Sequence, residues 1–354
     1  MGLNIGFDFD DCIVQGYSLM PLVLLLERLL IKELKVQSVT KDVQAQLLKG
    51  KEQFYERLAL NEFETKGILV RPSFFNIIQS LLRLKKAGKI DSMFIYSNNS
   101  SIDIINVCDH IIALTLKHFE VPDDHLIKDD LGVLHTLTPR IHRDAPCRSN
   151  EPLDSGNFKE KTFNGIQTCL GKNISESDLW FLDDTVDHRD LIDNIKGQYI
   201  ETKKYQVIMK NSKLAEFLVK SFPKAAFNPL SDIGKIFMSA YNKLEKYFII
   251  PAANKNPTRF NPKGNESEES LIELLSRSLN AISPNAKGNI KSKWSAAETA
   301  ADTTVLMSMF EPIFTQKTTK RTMDTVRAIS TATAYREPIG GGRTKTRRRK
   351  GQTT

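Results

Sequence analysis

Residues 3–14 read Leu-Asn-Ile-Gly-Phe-Asp-Phe-Asp-Asp-Cys-Ile-Val, and the fold follows from where that run divides. Leu3, Ile5 and Phe7 alternate with smaller residues at the period of a half-buried strand, and the charges begin where the alternation stops. Asp8 and Asp10 therefore stand at a strand's carboxyl end. In open α/β sheets that edge borders the crevice where ligands bind, which suits the pair to a metal and a phosphate. An Asp-rich turn leaving an N-terminal strand is the plainer reading of the same residues.

The arrangement recurs. Residues 179–182 (LWFL) form an apolar strand that runs into Asp183 and Asp184, with Asp187 three residues on. Two such sites in one chain are harder to assign to turns than one. Between them, a strand at 92–96 ends in Ser97-Asn98-Asn99-Ser100-Ser101, side chains that suit either an anion or the cap of the next helix.

Helical spacing marks residues 17–60 as an inserted helical unit and 74–86 as a further helix closed by Gly88. A short helix ends near Leu170-Gly171, a strand is predicted at 205–209, and the core ends near Pro223. Beyond it, residues 233–248 and 271–282 carry amphipathic stripes on either side of a linker at 251–266, and a weaker helix spans 294–310. Such stripes predict packing on the core or on a partner.

The net charge of +8 is unevenly placed. Residues 315–354 hold eleven Lys or Arg against Asp324 and Glu337, a balance of +9 that leaves −1 for everything before them. The longest apolar run, 19–31, is broken by Pro21, Glu27 and Arg28 and falls short of the roughly 20 residues of a membrane span. The first residues lack the basic and apolar regions of a signal peptide, so no secretion is expected. Cys12, Cys108, Cys147 and Cys169 form no C-x-x-C pair, which predicts reduced thiols and a cytoplasmic or nuclear setting. The Cys and His residues of 108–147 match no standard zinc spacing.

Asp8-Phe-Asp10-Asp-Cys12-Ile13, then Ser97 after an apolar strand, then a Lys before a helix, then Asp183-Asp184, resembles the four motifs of the haloacid dehalogenase-like superfamily in their family order. Cys12 stands where that family has Thr or Val. Val70-Arg71-Pro72 and Ile95-Tyr96-Ser97-Asn98 look most like the branch containing the RNA polymerase II carboxy-terminal-domain phosphatases, with a weaker echo at 140–147. The resemblance covers about residues 1–222. Both Lys159 and Lys161 fit the lysine motif, and Lys159 is preferred on its distance to the helix end at Leu170-Gly171.

The resemblance implies a Rossmann-like α/β core with a parallel sheet (1–222) and a helical insertion or cap at 15–68; periodicity and composition, not the resemblance, predict a helical C-terminal region (223–314) and a basic, disordered tail (315–354). The resemblance further implies an Mg²⁺-dependent phosphatase working through an aspartyl-phosphate on a phosphorylated substrate of undetermined class. Asp8 would be nucleophile and metal ligand, and Asp10 the general acid and base, with its backbone carbonyl on the metal. Asp183 would be a further ligand and Asp184 would orient the shell, while Ser97 and Lys159 would hold the phosphoryl oxygens. The alternatives are a catalytically silent scaffold of the same fold whose basic tail binds nucleic acid, and a nucleic-acid-end phosphatase tethered by that tail.

Arg343, Lys345, Arg347, Arg348, Arg349 and Lys350 offer charge without aromatic groups, so the tail is expected to bind nucleic acid or another polyanion without sequence preference and to release it steeply with salt; a solvated tail or a nuclear-import signal is the plainer reading of the same residues. Deleting residues 340–354 should abolish DNA binding at low salt. Unchanged affinity and salt slope would locate that binding elsewhere.

Overall fold

The computed structural model describes residues 2–153, 158–207 and 209–249. The helices expected at 271–282 and 294–310, the linker at 251–266 and the basic tail lie outside the described residues. In chain order the strands are β1 (Leu3–Phe7), β2 (Ile90–Tyr96), β3 (Ile127–Lys128), β4 (Leu134–His135), β5 (Arg140–Ile141), β6 (Leu179–Asp183) and β7 (Tyr199–Glu201). Five make one sheet in the order β5-β2-β1-β6-β7 with every pairing parallel, and β3 with β4 forms a separate antiparallel pair.

All five residues of β1 are buried, where the alternation at 3–7 predicts a half-buried strand. The difference comes from its central place in a parallel sheet, where helices cover both faces. On one face Phe7 meets the ring of Phe74 edge-on at 5.5 Å. On the other, Phe94, Tyr96, Leu179 and Phe181 pack with Ile166, Leu191 and Ile195. Gly6 lies on that second face, where a Cβ would come within 2.5 Å of Phe181 and 2.7 Å of Phe94. Glycine here is the condition for two aromatic rings to close over the central strand.

The helices are α1 (Met20–Val23), α2 (Leu30–Val36), α3 (Lys41–Thr65), α4 (Pro72–Lys86), α5 (Ile102–His118), α6 (Phe163–Leu170), α7 (Arg189–Ile195), α8 (Asn211–Ser221) and α9 (Asp232–Ile249), with a π-helical stretch at Leu24–Leu29 joining α1 to α2. None is long and apolar enough to cross a membrane among the described residues. Thr40 caps α3 by accepting from Val43 N, and Pro72 opens α4 where its missing N–H costs nothing.

The insertion leaves and rejoins the core at one place. Gln15 N donates to Leu69 O at 2.9 Å and Arg71 N to Ile13 O at 2.8 Å, closing an antiparallel root. At the end of α3, the fully buried Glu62 accepts the N–H groups of Ile68, Leu69 and Val70 at 2.9–3.1 Å. The amphipathic helix expected at 233–248 is α9, and it docks on the insertion. Ser239 Oγ donates to Glu33 at 2.8 Å, Lys243 pairs with the same buried carboxylate, and Phe237 meets Phe222 at 4.8 Å.

The strand expected at 205–209 is not formed; the sheet instead takes Tyr199–Glu201 as its last strand, paired with Phe181–Asp183. Tyr205, Val207 and Met209 are indeed buried in alternation. Their partners are loops, however: Tyr205 N donates to Asp11 O, and its hydroxyl to Ile68 O at 2.8 Å. The period-2 pattern is real, but it lines the root of the insertion.

Glu62→Ala would strip the acceptors from three buried N–H groups, at about 1–3 kcal/mol for each buried group left unpaired, so denaturant unfolding should show a loss of several-fold that of a surface change. Burial lifts the Glu62 carboxyl from 4.5 to about 7 against the three N–H donors. The folded chain then holds a proton that the unfolded chain releases above 4.5, so this contribution is full below 4.5 and is lost as pH rises through about 7. Urea midpoints of wild type and Glu62→Gln at pH 5 and 8 should differ in that sense; parallel pH dependence would contradict it.

Candidate active site

At the carboxyl edge of the sheet β1 and β6 deliver their acids side by side. Asp8 N donates to Leu182 O at 2.8 Å, continuing the parallel ladder one residue past β1. Asp183 ends β6 fully buried, and its carbonyl accepts Thr202 N at 2.7 Å. Asp8, Asp183 and Asp184 each bring a carboxylate oxygen to within 4.8 Å of the others.

Lys161 joins them. Its Nζ lies 2.7 Å from Asp8 Oδ1 and 2.7 Å from Asp183 Oδ2, with the side chain 1% exposed. Burial alone would lower the Lys161 pKa, but the Asp183 and Asp8 carboxylates outweigh it and hold the pKa above its ordinary value. Asp8 is raised by burial and by Asp183, against the pull of Lys161. Asp184 is raised to about 7 by burial and by the Asp8 charge. One ammonium among three carboxylates leaves negative charge in a low-dielectric site.

This all-oxygen donor set fits a hard divalent cation such as Mg²⁺. The Asp10 side chain stands apart from the trio: Asn99 Nδ2 donates to its Oδ1 at 3.1 Å, and burial with the Asp8 charge raises it to about 8. No group of three His, Cys, Asp or Glu suited to a metal occurs elsewhere among the described residues, including the histidine-bearing 108–147.

Ser97 follows β2 and is buried, with its N–H on Ile141 O at 2.9 Å. Its Oγ accepts Asn99 N at 3.0 Å, and Asn99 Oδ1 accepts Ser101 N at 2.7 Å. Ser101, at the cap of α5, makes no side-chain cap bond. These side chains thus shape their own loop, and the Ser97 hydroxyl keeps its proton to donate.

The preference for Lys159 is corrected. Lys159 Nζ donates to Arg148 O at 2.7 Å, and its carbonyl accepts Asn98 Nδ2 at 3.0 Å, so it braces the Ser97 loop while Lys161 meets the carboxylates. The helix end at Gly171 misled because α6 has eight residues and begins just past the cap residue Thr162, immediately after Lys161. The expectation of four reduced thiols is also corrected: Cys147 and Cys169 form a disulfide, and Cys12 and Cys108 are free and buried. The two half-cystines are 22 residues apart, a separation that no short motif announces.

Three buried groups escaped the sequence reading. Arg71 Nε donates to Cys12 O at 2.6 Å, Nη2 reaches Asp11 O and Lys203 O, and the guanidinium lies over Tyr205, fixing the turn after β1. Arg148 holds Ser97 O and Asn98 Oδ1. His188 Nδ1 accepts Lys161 N at 3.2 Å, with Nε2 3.8 Å from Asp183 Oδ2; burial and the Lys161 charge lower it to about 3, so it is neutral. An Arg before Pro or a lone His carries no local pattern that marks such a role.

Compared with known proteins, the chain matches no family model, no curated protein and no solved structure.

Lys161→Met would leave the carboxylates without their ammonium, and breaking a buried pair costs about 3–5 kcal/mol. Melting curves should show a lower Tm in a chelator and a larger rise on adding Mg²⁺ than wild type shows. Equal Mg²⁺ increments would mean that the cation and Lys161 do not balance the same charges.

Proposed function

We propose that the chain is an Mg²⁺-dependent phosphatase of the haloacid dehalogenase-like type, forming an aspartyl-phosphate on Asp8. The observation that carries this reading is the Lys161 ammonium 2.7 Å from both Asp8 and Asp183, at the carboxyl edge of two adjacent parallel strands. The strand bearing Ser97 adjoins β1 on its other side. Asp8 and Asp183, distant in the chain and assigned to one chemistry from sequence, lie at one edge of the sheet.

Asp8 attacks phosphorus in line with the leaving oxygen. Lys161 and the Ser97 hydroxyl hold the equatorial oxygens, supplying positive charge and a donor that need no reorganisation during transfer. Asp10, tied to Asn99, gives its proton to the leaving oxygen and takes one from the water that hydrolyses the acyl phosphate. Asp8, Asp183 and Asp184 would hold Mg²⁺, with the Asp10 carbonyl as a further donor; when bound, the ion offsets carboxylate and phosphate charge as a Lewis acid. Arg71 and His188 keep the Asp8 turn and Lys161 in place, so binding energy is not spent on ordering them.

Hydrolysis of an aryl phosphate should require Mg²⁺ and vanish in Asp8→Asn. With an unactivated alkyl phosphate, Asp10→Asn should lose about two to four orders of magnitude in kcat while divalent-cation affinity, read by titration calorimetry, stays within a few-fold. Equal rates in wild type and Asp8→Asn would defeat the reading and favour a catalytically silent scaffold.

A further inference from the structure

Behind the Ser97 loop lies a buried polar lattice whose far end is covalent. Arg148 is fully buried, with Nη1 on Ser97 O at 2.5 Å, Nη2 on Asn98 Oδ1 at 3.0 Å and Nε on Glu151 Oε2 at 2.5 Å. Its guanidinium lies over the Tyr96 ring at 4.3 Å, and the Tyr96 hydroxyl donates to the same Glu151. Lys159 closes the lattice from the Arg148 carbonyl to Asn98. The Arg148 and Glu151 charges are paired and the Lys159 ammonium is hydrogen-bonded, so the lattice acts as a unit in which displacement of one member disturbs the others.

Cys147, the residue before Arg148, is bonded to Cys169 on α6, the helix that begins two residues after Lys161. One covalent bond therefore ties the turn that positions Ser97 to the helix that leads out of Lys161. Cys147 and Cys169 are half-buried, so their bond is open to a soluble reductant.

We propose that the Cys147–Cys169 pair is a redox control on the phosphoryl-binding groups, an inference that rests on the phosphatase reading above. In the disulfide form Arg148 holds Ser97 in register with Lys161. In the dithiol form the turn at Pro146–Arg148 is freed from α6 and that register loosens. The reductant is a small dithiol: one of its thiolates attacks one sulfur of the pair, the S–S bond breaks, and a mixed disulfide forms. Its second thiolate then displaces the protein sulfur, leaving the oxidised reagent with two electrons fewer and two cysteine thiols that carry its protons. Arg148 is a positioning residue in this scheme, acting through Ser97 and Asn98.

The test uses the full chain, oxidised or treated with dithiothreitol, with free thiols counted after denaturation. Reduction should raise the count from two to four, lower kcat on an aryl phosphate by about ten- to hundredfold, the scale of a misplaced binding group, and weaken inorganic phosphate binding in calorimetry. Melting should remain cooperative. The Cys147→Ser/Cys169→Ser variant should behave as the reduced protein and ignore the dithiol. A count of four before reduction, even after mild oxidant, overturns the proposal, as does a change from two to four with kcat and phosphate affinity unmoved. Asp8-dependent turnover that is indifferent to redox state would sink this inference and leave the phosphatase standing. Redox-dependent phosphate binding without turnover would do the reverse.

Discussion

The structure depends on a charge that cannot be buried alone. Asp8, Asp183 and Asp184 crowd their oxygens within 4.8 Å at a place where solvent is largely excluded, and repulsion at that spacing would force the strand ends apart without compensation. Lys161 supplies it from a third segment of chain, 22 residues before Asp183. Lys161 must therefore reach the ends of β1 and β6, and His188 secures it by taking the Lys161 N–H. A hard divalent cation would complete the balance, which is why a donor set costly to fold is suited to binding.

Two buried arginines tie the surrounding loops to the core. Arg71 gathers carbonyls from the turn after β1 and the loop after β7, and Arg148 gathers a carbonyl and an amide oxygen from the loop after β2. Each guanidinium offers five donors in a fixed plane and stays charged when buried, so it satisfies several backbone acceptors that water would otherwise need to reach. Both also lie over an aromatic ring, Tyr205 and Tyr96 respectively. Loops at a sheet edge are ordinarily the soft part of an α/β protein; here they are pinned from behind, and the front is left to the acids.

The helical insertion is not an isolated appendage. α3 runs along α5, with Thr115 Oγ1 on Ala59 O and Phe63 against Phe119, and α9 meets α2 through Glu33 and the segment after α8 through Phe237. Its only connection to the sheet by chain is the root at 13–16 and 67–71, where Glu62 and Tyr205 satisfy the backbone. Any displacement of the insertion is thus felt at Asp11 and Cys12, the residues that Arg71 holds.

Sequence alone determined the local facts: apolar runs that end in Asp8 and Asp183, a Ser97 loop after a strand, a helical unit at 17–60, an amphipathic helix at 233–248, and a cationic tail. These were legible because strand and helix periodicities and the point where charge interrupts them are properties of neighbouring residues. The choice between Lys161 and Lys159 was not, since residues two apart in an extended stretch share a face, and only where that stretch lies against the strand ends decides which ammonium meets the carboxylates. Nor were Arg71, Arg148 and His188, whose partners lie up to 132 residues away, or the Cys147–Cys169 bond, which exists because the turn at Pro146–Arg148 and α6 converge. The alternation at 205–209 was read correctly as burial and wrongly as a strand, because period 2 reports an extended backbone and not its hydrogen-bond partner. Tertiary structure decided which of the chain's many polar groups share one low-dielectric space, and no single segment carries that information.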